Sequence, residues 1–195
     1  RVELSMYDAL LGDVELGDVI RPTELPNLFV CPATTDLAGA EIELVSMEQR
    51  ERRLEGLLAP QRTRFDAVII DCPPSLGLLS LNGLVASQRV VVPVQSEYLA
   101  LHGVRQLLDT IDQVRSAYNP ALAVGGVLIC LHDSRKRLAR SVADTVREYF
   151  GSLVFDTIVR TNVALAEAPA KGTSIFKYDF KSSGSEDFQK LAEEV

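Results

Sequence analysis

The 195-residue sequence has no tryptophan, two histidines and three cysteines. These scarcities exclude several chemistries. Neither His102 nor His132 stands with a cysteine in a recognisable nucleophile-and-base motif. Cys31, Cys72 and Cys130 are far apart, each in or beside a predicted strand. That spacing fits neither a zinc site nor a disulfide framework, so they read as buried or partly buried thiols in a reducing compartment. No apolar run approaches the roughly 20 residues needed to cross a bilayer, and no charged-then-apolar leader opens the sequence. The chain therefore reads as cytoplasmic. Acidic residues outnumber basic ones, 27 to 20, for a net charge of −7. This argues against a globally basic nucleic-acid binder and leaves local patches open. Internal repeats, linkers and low-complexity tracts are missing too.

What is present is a chain that is 47% hydrophobic and able to bury a core as one domain over 1–195. The spacing predicts a short helix in S-M-Y-D-A-L-L-G-D near the start, then a strand at Leu28 to Cys31. A largely helical stretch runs from Leu37 to Ala59, in which E-Q-R-E-R-R reads as a solvated, ion-paired face. R-V-V-V-P-V from Arg89 has the continuous apolar signature of a buried parallel strand. Glu97 to Tyr118 is a predicted helix with Leu101, Val104, Leu108, Ile111 and Arg115 on one face, ended by Asn119-Pro120. Val124 to Leu131 is a further strand, where Gly125 and Gly126 point to close backbone approach. A helix from Ser134 to Phe150, with Leu138, Val142, Val146 and Tyr149 or Phe150 inward, is stopped by Gly151. Strands at Val154 to Val159 and Ser174 to Phe176 and a helix from Ser185 complete the pattern. Strands alternating with helices of this length imply βαβ units.

The stretch most of the chain is organised around is F-D-A-V-I-I-D-C-P-P-S-L-G-L-L-S-L-N-G-L, Phe65 to Leu84. Val68, Ile69 and Ile70 form a β-branched run expected as a strand buried on both faces, with Asp71 at its end. Pro73 and Pro74 then force the chain out of the sheet. A carboxylate at the carboxyl end of a central parallel strand stands where open α/β sheets bind ligands and, in nucleotide sites, where Mg²⁺ or its water shell is held. An acid that merely caps a loop is the other reading of Asp71.

The longer string resembles the switch and Walker B-like segment of the ParA/Soj partition ATPases, within the deviant Walker A group that also holds MinD. P-A-T-T-D-L-A-G-A-E-I-E-L, V-V-V-P-V-Q-S-E-Y-L-A-L-H-G-V and R-T-N-V-A-L-A-E-A-P-A-K-G resemble further blocks of that family, in its order and approximate spacing. The resemblance implies a doubly wound, mostly parallel α/β sheet of the P-loop NTPase type. It also implies ATP and Mg²⁺ as cofactors, ATP-driven homodimerisation, non-specific DNA binding and a ParB/Spo0J-like stimulating partner. Chromosome or plasmid segregation on the nucleoid would be the outcome, with no membrane involved.

One family feature is missing. No G-x-x-x-x-G-K-S/T sequence occurs, nor the D-x-D-P-Q-G switch stretch, and Arg1 falls just beyond where that stretch would end. The expectation is a sequence truncated at its amino-terminal side, the carboxyl-terminal portion of a longer ATPase and by itself unable to turn over ATP. Early strands missing in this way would leave sheet edges and apolar faces exposed.

By resemblance, Asp71 holds the Mg²⁺ water shell as the catalytic acid, and the Cys72-Pro73-Pro74-Ser75 turn senses the γ-phosphate. Asn162 contacts adenine; as a bare residue it reads equally as a turn or helix cap. Arg160 replaces a proline common in the family, and His102 stands where many relatives carry Glu and is assigned no chemistry. Arg135, Lys136, Arg137 and Arg140 cluster at a helix start, with Lys177 and Lys181 on a late loop. By resemblance these bind DNA phosphates; by charge alone they are a solvated flank. Three alternatives stand beside the main reading. A MinD-like membrane-cycling ATPase would need a basic amphipathic helix that does not occur before Val195. A non-enzymatic scaffold would have lost the nucleotide loop, and an amidotransferase-type synthetase would need a nucleophile-and-base pair.

Overall fold

The computed structural model describes residues 3–195, apart from the side chains of Tyr98, Leu99 and His102. It divides into two compact units, Arg1–Gln88 with Thr110–Leu122, and Arg89–Asp109 with Ala123–Val195. In chain order the elements are α1 (Met6–Leu11), α2 (Leu16–Val19), β1 (Arg21–Pro22), β2 (Phe29–Val30), α3 (Leu37–Leu44), α4 (Arg53–Leu58) and α5 (Leu78–Ala86). They continue with β3 (Arg89–Gln95), α6 (Tyr98–Ala117), β4 (Ala123–His132), α7 (Arg137–Phe150), β5 (Val154–Arg160), α8 (Val163–Ala170), α9 (Ile175–Tyr178) and α10 (Ser183–Glu194).

The second unit is a parallel sheet in the order β3-β4-β5, with α6 and α7 as crossovers. Val92 pairs with Val127 and Val94 with Ile129, and these residues sink into one core with Val142, Ala143 and Val146 of α7. Strand burial on both faces explains why these runs are apolar without alternation. The inner stripe of α7 is Ala139, Val142, Ala143 and Val146, a three-and-four spacing that leaves Leu138 outside it. Leu138 was expected inward and is exposed, because it lies one residue, about 100° of helix, away from that stripe. Gly151 ends α7 at φ 54°, a left-handed position that costs glycine nothing. Gly126 answers the expectation of close approach: a Cβ there would collide with the ring of Phe155.

Along the outer edge of β5, the carboxylate of Glu194 accepts hydrogen bonds from the backbone amides of Asp156, at 2.5 Å, and Thr157, at 3.0 Å. Asp187 of α10, 4% exposed, takes the backbone N–H of Arg160 at 2.9 Å and its guanidinium as well. Arg160 also pairs with Glu186 at 2.8 Å, and Lys190 joins Glu186 at 2.9 Å. These contacts fix α10 against β5, and the added carboxylates raise the guanidinium pKa of Arg160.

In the first unit, α1 begins at Ser5 with a reciprocal cap: Asp8 accepts from the Ser5 amide at 2.7 Å and Ser5 Oγ accepts from the Tyr7 amide at 3.3 Å. The helical stretch expected from Leu37 to Ala59 is broken into α3, a single 3₁₀ turn at Arg50–Arg52 and α4, because Gln49 turns the chain at φ 51°. E-Q-R-E-R-R is only in part a solvated face. Arg50 pairs with Glu51 and Arg52 with Glu55, but Arg52 also donates to the carbonyl of Tyr118 at 2.6 Å and Arg53 to that of Leu10 at 3.0 Å. The strand expected at Leu28 to Cys31 is the two-residue β2, paired antiparallel with β1.

Two further expectations are corrected. Val68 to Ile70 does not pair as a strand, and Ile69 is 95% exposed. An apolar run becomes a strand only against a neighbour's backbone, and none of the described strands bonds to this one. Ser174 to Phe176 is the start of α9 rather than a strand, since Ser174 Oγ accepts from the Lys177 amide and closes a helical turn. Exposed apolar side chains in the first unit include Leu25, Leu28, Phe29, Val30, Val68 and Ile69.

Candidate functional site

The carboxyl ends of the parallel strands, where open α/β sheets bind ligands, collect several polar groups in the second unit. Ser96, just after β3, is buried and its Oγ lies 3.0 Å from Nδ1 of His132, the last residue of β4. Leu131 is held at φ 50°, an uncommon conformation for a bulky residue, where the β4–β5 register shifts. Asn162 lies two residues past the end of β5 and is the N-cap of α8. Its Oδ1 accepts from the Leu165 amide at 3.3 Å and its Nδ2 donates to Ser183 Oγ at 2.7 Å. One Oδ1 lone pair and one Nδ2 hydrogen are left, enough for one acceptor and one donor contact to a purine edge.

Asp71 lies in the first unit, exposed after the unpaired run, and its charge helps burial raise the pKa of the neighbouring Cys72 thiol. The prolines behind it are anchored by α5: Ser80 Oγ, buried, is 2.5 Å from the Ser75 carbonyl and 3.2 Å from that of Pro73. Glu41 of α3 accepts from the Leu79 amide at 3.3 Å, and a Cβ at Gly77 would strike that carboxylate. Glu41 thus places a negative charge where the first turn of α5 needs one. Asn82, fully buried, takes the Leu54 amide at 3.0 Å and donates to the carbonyls of Arg50 at 2.7 Å and Leu78 at 2.9 Å. Beside α5 opens a cleft of about 700 Å³, floored by Leu76, Leu81 and Leu84 and bordered by Arg50 and Glu51.

The basic residues fall at the β4–α7 turn and around α9. Arg135 is 89% exposed and bidentate on Asp133, Nε and Nη2 each at 2.9 Å, which pulls the Asp133 carboxyl down to about 2. Arg140 donates to the Ser134 carbonyl at 2.5 Å. Lys136 and Arg137 are exposed at the start of α7. Cations there oppose the helix dipole, at a cost of about 0.3–1 kcal/mol each, so their position is not one that helix stability selects. Lys177 and Lys181 are exposed on α9 and the turn after it.

Several of these residues escaped sequence reasoning. Asn82 carried a signal, a lone amide inside L-L-S-L-N-G-L, and Ser5 with Asp8 follows the S-x-x-D capping pattern. Glu41, Asp187 and Glu194 carried none, since their partners lie 38, 27 and 37–38 residues away. The cysteines are free, as their spacing implied; Cys72 is exposed as a residue, while its Sγ packs against Gly83, where an added Cβ would lie 2.6 Å from it. Burial pushes the Cys130 thiol up to about 11, and among the described residues no three His, Cys, Asp or Glu side chains converge on a metal position. No helix among the described residues is long and apolar enough to cross a membrane. The side chain of His102 lies outside the described residues.

A parallel sheet crossed by helices, with polar side chains at the strands' carboxyl ends, is an α/β fold of the P-loop NTPase type. Solved structures share the fold. Cobyrinic acid a,c-diamide synthase from Mycobacterium smegmatis, seen with ADP and magnesium, is 37% identical with a TM-score of 0.82, over 99% of this chain and 71% of that one. The cell division ATPase MinD of Pyrococcus furiosus has a TM-score of 0.79 at 22% identity, over 100% of this chain and 76% of that one. A family model described as an AAA domain matches residues 1–124. The chromosome-partitioning ATPase Soj of Treponema pallidum is 45% identical, over 98% of this chain and 76% of that protein. The chromosome partitioning protein ParA of Myxococcus xanthus is 48% identical, over 98% and 68%. The chain belongs to the ParA/Soj family of partition ATPases, proteins that bind nucleotide and hydrolyse ATP.

Proposed function

We propose that these 195 residues form one ATPase domain, working as part of a longer cytoplasmic, nucleoid-associated partition ATPase, and that by themselves they do not turn over ATP. The observation that carries this is a likeness to partition proteins along 98% of the chain, in a sequence that contains no phosphate-binding G-x-x-x-x-G-K-S/T loop. The amides and lysine of such a loop neutralise the phosphates, and without them most electrostatic assistance to phosphoryl transfer is lost.

The residues present fit the remaining half of an ATP and Mg²⁺ site. Asp71 is exposed, and among the described residues it belongs to no group of three His, Cys, Asp or Glu side chains, which suits a carboxylate that orders the water shell of Mg²⁺ rather than binding the ion directly. Ser80 holds the carbonyls of Pro73 and Ser75, which keeps that turn in one conformation for sensing the γ-phosphate. Asn162 reads adenine with its remaining donor and acceptor. ATP bound there would supply the phosphoryl group whose transfer to water gives ADP and phosphate, and Mg²⁺ would offset the negative charge of its phosphates.

ATP then drives homodimerisation of the intact protein. Arg135, Lys136, Arg137, Arg140, Lys177 and Lys181 bind DNA phosphates without sequence preference, and a ParB/Spo0J-like protein stimulates hydrolysis. The unfavourable placement of Lys136 and Arg137 at a helix start supports a phosphate-binding role over a merely solvated flank. The likeness to a diamide synthase is weaker support for amide chemistry, because the Cys31 and Cys130 thiols are pushed up by burial, away from nucleophilic thiolate.

The test is phosphate release by the purified chain with Mg²⁺, ATP and DNA. Background rates are expected, and turnover at the rate of an intact partition ATPase would overturn the proposal. Sequencing the gene upstream of the Arg1 codon separates truncation from natural loss of the loop.

A further inference from the structure

A helix begins with amides that have no partner inside it, and a serine, threonine, aspartate or asparagine at the N-cap ordinarily supplies one. The N-cap of α5 is Gly77, extended at φ −87° and ψ −168°, with no side chain to give. Glu41 of α3 takes over that role. Its Oε1 accepts from the Leu79 amide at 3.3 Å, across 38 residues of sequence. A Cβ at Gly77 would overlap the same oxygen, so the two positions fit each other: α5 lacks a side chain where α3 delivers a carboxylate.

The element that carries Glu41 is fixed elsewhere. Ala40 and Leu44 are both 0% exposed, and Glu43 accepts from the Tyr7 hydroxyl of α1 at 2.8 Å. Glu41 therefore holds α5 instead of following it. The Cys72–Ser75 turn rests on α5 in its turn. Sγ of Cys72 lies against Gly83, and Ser80 Oγ is 2.5 Å from the Ser75 carbonyl and 3.2 Å from that of Pro73. We infer that Glu41 is a positioning residue for the Cys72–Ser75 turn: as a cap supplied by α3, it sets α5 and, through α5, the conformation in which the turn meets a nucleotide's terminal phosphate. The inference rests on the γ-phosphate-sensing role proposed above for that turn and adds the residue that sets it.

The test labels the three native thiols with N-ethylmaleimide and reads each by peptide mass spectrometry. Cys72 reacts faster when the turn lifts from Gly83. Cys31, in the same unit but packed against Ala9, Leu16 and Val19, reports any general loosening. Glu41→Ala is expected to raise Cys72 labelling about fivefold, the size of a lost helix cap, with Cys31 unchanged. Glu41→Gln, which keeps an acceptor oxygen, should fall between this variant and the parent chain. Combining Glu41→Ala with Gly77→Asp moves the carboxylate onto α5 itself and should return Cys72 to the parent's rate. Gly77→Ala should raise labelling in the parent by displacing Glu41, and add nothing to Glu41→Ala. In the intact protein, Glu41→Ala should weaken ATP binding about fivefold and ADP binding little, because ATP alone carries the phosphate that the turn meets. Parental Cys72 labelling in Glu41→Ala, an equal rise at Cys31, no return with Gly77→Asp, or equal effects on ATP and ADP would overturn the inference and leave the partition reading intact. An intact protein that binds no ATP would overturn both.

Discussion

The runs at Val68 to Ile70 and at Val90 to Val94 have nearly the same chemistry and opposite fates. In the second unit, β3 lies along β4, its Val92 and Val94 are buried, and helices close over the sheet. In the first unit, the β-branched run before Asp71 has no ladder and stands open to solvent. β-Propensity describes how well a side chain fits a pleated surface that already exists; it does not create that surface. Apolar residues held in this way contribute to stability only where something packs on them.

The largest effect should separate the two runs. Ile129→Ala removes a side chain that is 1% exposed and should cost about 3 kcal/mol in denaturant unfolding. Ile69→Ala, at 95% exposure, should stay within about 0.5 kcal/mol. A comparable loss at both sites would mean that the run before Asp71 is covered in solution. Next in size, Asn82→Ala strips the first unit of the amide that joins the Arg50–Leu54 backbone to α5 and leaves the Leu54 amide without its acceptor. A loss of about 2 kcal/mol is expected, read by urea unfolding. A neutral result would show that water replaces the amide and that the unit is looser than its hydrogen bonds imply.

The smallest effect is electrostatic and belongs to the second unit. Asp133 and Glu186 are each held at about 2, Asp133 by Arg135, Glu186 by Lys190 and then Arg160. A carboxyl lowered in the folded state contributes stability that is complete above its unfolded value, near 4, and is lost as pH falls toward 2. Carboxyl carbon shifts followed by NMR should therefore titrate near 2 at these two positions. Titration near 4 would show that the pairs do not persist in solution, as many exposed pairs do not.

These contrasts also mark what could be read from residues alone. The three paired strands of the sheet and α6, α7 and α10 were legible, because a three-and-four stripe marks the face that a helix buries and the apolar runs of this sheet have neighbouring strands to pair with. The break at Gln49 and the turn begun by Ser174 were not, since each depends on one backbone angle or one hydroxyl contact. The run before Asp71 was misread for a different reason: strand formation is a property of two segments, and the sequence of one is silent about its neighbour. At the site, residue types were legible through family blocks. The hydrogen bonds that orient them, from Ser80 to the proline turn and from Asn162 to Ser183, bridge segments whose proximity only the fold decides.

Glu194 has one more implication. By occupying the outward amides of Asp156 and Thr157, it denies a foreign strand the donors that zipping onto β5 would require. The β5 margin is thereby guarded at two of the amides that an added strand, from this polypeptide or another, would need.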